Sequence, residues 1–433
     1  IDHVTLKKYP EGDALAALNL QSPLPSLSVA INDLPFRAPY GLSPAAPDRL
    51  LAHLEATETS HGLMITKEYT LKRNYLIRTS VEIKNTSTVA LTHQTLQLAL
   101  GLAGPMNAMD NGEYTGFSFL SGEKTMHESQ DSLLKKPFDS ARPVQWAAIR
   151  NQYFTLLVTP STPFAGIHAE SIDLKPTHNP HGVKQQRGAL TVMTSAPFEL
   201  KAGASTNWTF EVYAGPKDYQ LLEQFSQRQD QVMDFGMWEI LCKALLWSLK
   251  LFYNFFGNWG VAIIAVTVVI KILFWPLTAI STKSMKQMQA LQPKMAALKE
   301  KYPDDTKKQS EEMMKIYREY RINPMAGCLP MLIQIPIFFA FYTMLRTAIE
   351  LRGAHFFWIK DLSQADTVGY LPGLDFPVNI MPLLMACTMI WQTRVTPQAP
   401  NADPTMKIML WLMPAMFLFF CYNFSSGLSL YWT

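Results

Sequence analysis

GNWGVAIIAVTVVIKILFWPLT, residues 257–278, decides how this chain is read. The stretch is apolar over roughly the 20 residues a helix needs to cross a bilayer. Trp259 stands near its start and Trp275 near its end. Tryptophan favours both membrane–water interfaces, so the pair frames a span over 258–278. Pro276 falls close to the end, where a helix break is tolerable. Inside the span stands Lys271, about 18 Å along the helix from Trp259 at 1.5 Å per residue. A charge at a helix centre costs about 2.5–3.5 kcal/mol even on lenient insertion scales, which makes Lys271 a candidate functional residue. The plain alternative is that its ammonium snorkels to the nearer interface. Thr267 lies four residues before it and Thr278 seven after, on one helix face. That face predicts the wall of a wet cavity.

Working outward, 281–322 carries ten basic residues against six acidic ones, which by the positive-inside rule makes it a cytoplasmic loop. Met288, Leu291, Met295, Leu298 and Tyr302 step by three and four, a heptad seam. Pro303-Asp304-Asp305 breaks that helix, and Met313, Ile316, Tyr317 and Tyr320 resume on a second. A mobile helical hairpin follows, with methionines that offer a pliable surface for varied apolar partners. Further spans are expected over 324–348, 376–394 and 406–424, with a short loop at 395–405 and a turn at Ser425-Ser426-Gly427. On the other side, 237–257 has a narrow stripe of Glu239, Lys243, Lys250 and Asn254 beside a broad apolar arc. That pattern suits a helix lying in the membrane interface. The polar, Gln-rich 216–236 reads as a connecting helix.

The first 215 residues are of another kind. Tyr75, Ile77, Thr79, Val81 and Ile83 alternate with polar neighbours, the period of a half-buried strand, and Asn85-Thr86-Ser87 supplies a turn. Similar alternation at Phe154–Val158 and at Trp208, Phe210 and Val212 predicts an antiparallel β-sandwich. His178 and His181 form H-x-x-H in a Pro-rich loop, where solvation is the expectation rather than a metal. No nucleophile elbow, zincin, Walker A or dinucleotide motif occurs in the chain. Neither enzyme chemistry nor a cofactor is therefore expected.

The 433 residues carry a net charge of +3 and a mean hydropathy near zero, an average that blends a soluble half with a membrane half. The division expected is a β-sandwich over 1–215, connecting and interfacial helices over 216–257, and a membrane core over 258–433. Cys242, Cys328, Cys387 and Cys421 all sit in or beside apolar stretches and read as fillers. If the β-domain lies outside the cell it needs export, so a targeting segment before Ile1 is expected.

The quoted stretch resembles the YidC insertase family (YidC/Oxa/Alb), in the Gram-negative form with a large periplasmic domain. So do MQALQPKMAALKEKYPDD (288–305), NPMAGCLPMLIQIPIFFAFYTML (323–345), ELRGAHFFWIKDLSQAD (350–366) and LMPAMFLFFCYNFSSGLSLYW (412–432). The resemblance covers essentially all of 235–433. It implies a multidomain membrane protein of the inner membrane: a periplasmic antiparallel β-sandwich plus an α-helical core of five conserved helices, the last only begun here, with a cytoplasmic hairpin. Five helices would surround a hydrophilic groove, closed outside and open to cytoplasm and lipid. Lys271 matches the groove's basic position, beside Thr267 and Thr278, and Gln334 matches a groove-lining one. Tyr431 and Trp432 would begin the fifth helix at the substrate exit face, together with Phe420. Implied partners are nascent membrane proteins and lipids, with ribosome and Sec translocon as further candidates, and no specific nucleic-acid sequence. The family usually carries Arg at the Lys271 position and Pro at Ser425. A channel or transporter built around an intramembrane lysine is the competing reading, and a membrane-anchored envelope enzyme a second.

Overall fold

The computed structural model describes the chain apart from residues 1–3, 12–13, 19–21, 33, 36–40, 44–50, 59–61, 105–113, 175–176, 180–181, 185–186, 303–304, 321, 323–328, 372–375 and 396–403. His181, Cys328, Pro303-Asp304 and most of the 395–405 loop therefore lie outside the described residues. The chain divides into two compact units, Ile1–Asp234 and Phe235–Thr433.

In the first unit a nine-stranded sheet runs in the order Lys124–Ser129, Gly116–Ser121, Trp146–Arg150, Phe154–Pro160, Ser205–Pro216, Leu76–Asn85, Leu63–Leu71, Leu51–Glu58, Gly41–Ser43. A six-stranded sheet has the order Phe138–Ser140, Gly166–Asp173, Arg187–Thr194, Leu96–Ala103, Ser28–Ile31, Leu34–Pro35. Every pairing is antiparallel, and Leu96–Ala103 and Arg187–Thr194 pack across onto the larger sheet. Thr79, Val81 and Ile83 point inward and Arg78, Glu82 and Lys84 outward, as the alternation predicts. Asn85 closes the following turn, its side-chain oxygen accepting from the Ser87 N–H at 2.9 Å.

Phe154–Val158 departs from the expected half-burial: all five residues are buried. The same holds for the neighbouring strand Trp146–Arg150. Part of the cover over Trp146–Arg150 lies in 216–234, which is not the connecting helix that its polarity suggests. It contains only the one-turn helix α2 (Tyr219–Leu222), later in the chain than the short helix α1 (Gln130–Lys135), and a 3₁₀ turn at Gln229–Met233. Leu222, Val232 and Met233 are buried, and the Trp146 indole donates to the Gln227 carbonyl at 2.9 Å. The segment is a cover for the sheet, so this unit ends at Asp234 rather than near 215.

The second unit is helical. The interfacial candidate is α3 (Glu239–Phe256). It has three faces rather than two. Cys242, Leu246 and Leu249 are buried, against α4 (Trp259–Ala290) and α7 (Leu329–Thr347). Ile240, Trp247, Leu251 and Phe255 are exposed. Between these faces runs the charged stripe, where Glu239 pairs with Lys243 and Lys250 with Glu350, both at 2.6 Å. Among the described residues, α4 is the one helix long and apolar enough to cross a membrane.

Three expected boundaries move. The helix of 258–278 continues through Pro276 to Ala290, so its 32 residues extend about 48 Å. The hairpin thus begins only at Leu291, with α5 (Gln292–Lys301) and α6 (Thr306–Glu319) packed together. Pro293 sits in the first turn of α5, where its missing N–H costs nothing. Asp305 caps α6 by accepting from the Lys308 N–H at 2.9 Å. The span expected from 376 starts at Ile380, because Pro377–Asn379 is instead a strand paired with Thr367–Tyr370; α8 is Ile380–Val395. The span expected to reach 424 ends at Cys421, as α9 (Pro404–Cys421). Tyr422 then leaves the helix and donates its hydroxyl to the Pro377 carbonyl at 2.6 Å. The last element is α10 (Ser426–Trp432). Cys387 is an exposed thiol and no filler, whereas Cys242 and Cys421 are buried.

The first unit also buries charge. Arg150 donates to Ser118 Oγ at 2.9 Å and pairs with Asp234 at 3.0 Å, while Ser118 Oγ meets His127 Nδ1 at 2.8 Å. Lys217, 1 % exposed, completes the group. Burial pushes the Lys217 amine down to about 7, with Arg150 adding to the effect and Asp234 opposing it. Burial likewise holds His127 below its ordinary value, Asp234 again opposing. The unfolded chain binds both protons more tightly, so folding is favoured as pH rises. For His127 the gain comes as pH climbs toward 6.5, and for Lys217 between about 7 and 10.5. The unfolding temperature of this unit within the full chain, followed by β-sheet circular dichroism, should rise several degrees from pH 6 to pH 9. Lys217→Met should flatten most of that slope, and a flat profile in the unsubstituted protein would exclude the buried amine as its source.

Candidate functional site

A cavity of about 520 Å³ lies between α4, α7, α8 and α10. From α4 come Ile270, Lys271, Phe274, Trp275, Leu277 and Thr278, and from α7 Ile333, Gln334 and Ile337. Met389 and Gln392 of α8 and Tyr431 and Trp432 of α10 complete the wall. The helical rise places Lys271 and Gln392 each about 18 Å from the first residue of its helix, so the two meet at one level. Both α4 and α7 carry a proline near this level, Pro276 and Pro336. A proline has no N–H for the carbonyl one turn back, which leaves backbone acceptors at Ile272 and Leu332 without their helical donors.

The polar side chains of the wall are unevenly held. Gln334 donates its amide to the Tyr431 hydroxyl, which joins α7 to α10. Tyr431 is 3 % exposed, and its ring stacks on Phe341 at 4.2 Å. Trp432 stacks on Phe417 at 5.1 Å and meets Phe338 edge-on at 5.2 Å. Thr278 turns its hydroxyl back to the Phe274 carbonyl at 3.0 Å. Lys271 is exposed, and no carboxylate shares the cavity wall with it. The arrangement offers one cation, two amides and two hydroxyls inside an apolar shell, and can hold an extended polar chain by hydrogen bonds and charge. It offers no activated nucleophile, and among the described residues no cluster of His, Cys, Asp or Glu fit for a metal.

Of the residues singled out in the sequence, Lys271, Thr278, Gln334, Tyr431 and Trp432 meet at this cavity. Thr267 does not; it lies one turn back, its hydroxyl donated to the Ile263 carbonyl at 2.8 Å. Phe420 also lies elsewhere, 65 % exposed on α9 beside Phe419. Gln392 and Met389 were not anticipated. An amide inside the apolar run 376–394 is the signal for Gln392; Met389 gives none.

Comparison with known proteins bears on both units. A sequence model described as the YidC periplasmic domain matches residues 30–248, and one described as 60Kd inner membrane protein matches 251–433. The membrane protein insertase YidC of Pelobacter propionicus is 37% identical over 381 residues, covering 86% of this chain and 67% of that protein. The chain belongs to the YidC membrane protein insertase family. That of Cupriavidus metallidurans is 34% identical, over 92% of this chain and 68% of the relative. The chain thus spans about two thirds of the length of the YidC proteins it matches. A crystal structure of an active YidC insertase with its first transmembrane domain resolved aligns over 94% of this chain and 80% of that one, at 19% identity and TM-score 0.39. YidC membership makes this an inner-membrane protein with a β-rich periplasmic domain and a helical C-terminal region, and the family is not enzymatic.

Within this YidC chain the Gln334–Tyr431 bond is the contact across the cavity that can be tested by removing either half. Gln334→Leu leaves a buried hydroxyl unpaired and should cost about 1–3 kcal/mol. Tyr431→Phe should cost less, because the half-buried Gln334 amide can turn to cavity water. The double variant should be more stable than Gln334→Leu alone. Thermal unfolding in lipid nanodiscs orders the three, and equal losses in both single variants would contradict the assignment.

Proposed function

We propose that the cavity is the substrate groove of an insertase. It receives the polar part of an incoming membrane protein from the cytoplasm, and the attached apolar segment then passes into the bilayer. The single observation that carries this reading is Lys271, held with Gln334, Gln392, Thr278 and Tyr431 around one cavity at mid-span of the only long apolar helix among the described residues. Water and side-chain partners in such a groove lower the cost of bringing polar backbone and side chains partway across, which is prohibitive in lipid alone. The positive charge adds attraction for acidic segments, strengthened by the apolar surroundings. The exposed aromatic face of α9, with Phe420, and Trp432 at the cavity rim give the apolar segment its way out.

Orientation follows from charge. The basic hairpin of α5 and α6 lies in the cytoplasm, where its half-buried Met and Tyr seam serves as a docking surface for nascent chains, beside the ribosome or the Sec translocon. The β-domain and the 350–376 loop face the periplasm, and α3 lies along the outer membrane surface. Lys in place of the family's usual Arg keeps the charge and loses the planar two-pronged donor, so recognition rests on charge rather than on bidentate geometry.

Insertion into proteoliposomes, read as protease-protected client, tests the groove. Lys271→Arg should insert as the unsubstituted protein does. Lys271→Ala should lose roughly tenfold on a client with an acidic outer segment, the scale of one charge-assisted hydrogen bond, and little on a neutral one. Equal rates on the acidic client would remove the electrostatic role. A second expectation concerns the β-domain, which carries no reactive constellation. A chain beginning at Phe235, the boundary of the second unit, should still insert simple clients. Total loss in a stably expressed deletion would make the domain part of the insertion step.

A further inference from the structure

The 354–366 loop carries a feature that insertion does not explain. Phe356 and Ile359 exchange both backbone hydrogen bonds, at 2.9 and 2.8 Å, which forces Phe357 and Trp358 into a two-residue turn. Phe357 takes φ 49 there. A bulky side chain in the left-handed region is a true outlier, and such strain persists only where the surroundings impose it. The strained residue is also 84 % exposed, its aromatic ring touched by the rings of its chain neighbours Phe356 and Trp358 at 4.5 and 6.3 Å between centroids.

The surroundings hold this turn in place. Trp358 is tied by its indole N–H to Asp366 at 3.0 Å, and that carboxylate is itself buried. The Phe356 ring lies so close over Gly260 that a Cβ there would come within 2.2 Å of it. Asn258 donates its amide to the His355 carbonyl at 3.3 Å. The turn is therefore clamped onto the first turn of α4, level with Trp259, at the end where a spanning helix meets the headgroups. Lys360 and His355 flank the ring and are exposed. An exposed aromatic tip at an interface tryptophan's level, with Lys360 close by in the chain, is suited to the boundary between phosphates and acyl chains.

We propose that the Phe357–Trp358 turn is a membrane anchor whose occupant is the outer-leaflet lipid: Phe357 enters the headgroup–acyl boundary and fixes the depth of α4. The inference rests on α4 spanning the bilayer, as read above, and the test separates the two. A genetically encoded environment-sensitive fluorophore is placed at Phe357, and in a second protein at Val268, which is 49 % exposed on α4 and outside the cavity wall. Each full chain is reconstituted into phosphatidylethanolamine–phosphatidylglycerol vesicles with lipids brominated near the headgroup or deep in the chain. The probe at 357 should be quenched by shallow bromines and shielded from aqueous iodide, and the probe at 268 by deep bromines. Phe357→Ser should shift the depth profile of the 268 probe. Iodide quenching at 357 with normal bromine quenching at 268 overturns the anchor and leaves the span intact. Shielding from both quenchers at 357 means that protein covers the turn, which overturns it as well. Loss of bromine quenching at 268 sinks the spanning reading itself.

Discussion

Helix ends buried away from water need partners for their free N–H groups, and in the helical unit several ends find them in one loop. Asp366 accepts from the Met381 N–H at 2.8 Å, at the start of α8. The carbonyls of Gln364 and Leu362 accept from Ser426 and Gly427, at the start of α10, at 2.7 and 2.9 Å. The Ser426 hydroxyl adds a bond to Gln364 at 2.8 Å. The start of α4 is held through Asn258 and the Phe356–Gly260 contact. At Gly427 a Cβ would lie 3.0 Å from the Leu362 carbonyl, so the close approach of α10 depends on glycine. Since α4, α8 and α10 supply three walls of the cavity, their spacing is set at this loop. The positions of Lys271, Gln392 and Tyr431 follow from it.

The fourth wall, α7, is held differently. It has no contact of that kind with the loop among its described cavity residues, and it meets α10 through Gln334 and the stacked rings of Phe341 and Tyr431. It also carries α3, through the Cys242 contact with the Ala340 carbonyl at 3.3 Å and the stacking of Trp238 on Phe339. Across Gly257, Tyr253 stacks on Trp259 at 3.8 Å, which joins α3 to α4. The Lys250–Glu350 pair, with side chains 13 % and 10 % exposed, adds a charge contact at the far end of α7. Removing one member of so enclosed a pair strands the other, so its value lies in fixing a geometry rather than in net stability.

Local signals in the sequence suffice where one residue's chemistry decides its placement. Lys271 in an apolar run, the alternation at Thr79–Ile83 and the Asn85 turn all required only short-range patterns. Thr278, Gln334 and the Tyr431-Trp432 pair reach the same cavity, although the last three stand there on the strength of resemblance. The failures share a cause, which is that neighbours distant in sequence overrule local preference. Pro276 reads as a stop, yet α4 continues, since a helix held by packing tolerates the loss of one bond. The Gln-rich 216–236 reads as a connecting helix, yet Leu222, Val232 and Met233 turn its 216–234 part into a cover beside Trp146. Pro377–Asn379 is apolar enough to extend a span, and a strand partner at Thr367–Tyr370 claims it. Gln392 was legible in principle, as the amide of an otherwise apolar segment.

Direction along the chain has an electrostatic consequence for the cavity. The helices α4, α8 and α10 all begin at the 354–366 loop and run away from it, so their peptide dipoles point the same way. Each contributes about half a positive elementary charge at its first turn, and in apolar surroundings those fractions are poorly screened. At the start of α8 the buried Asp366 carboxylate opposes that charge, so the loop end carries its own electrostatic balance. Lys271 stands about 18 Å from the first turn of α4, beyond the reach of these helix ends. In the proposed groove, discrimination by the sign of charge therefore rests on the Lys271 side chain, and the backbone dipoles act only on the loop that spaces the helices.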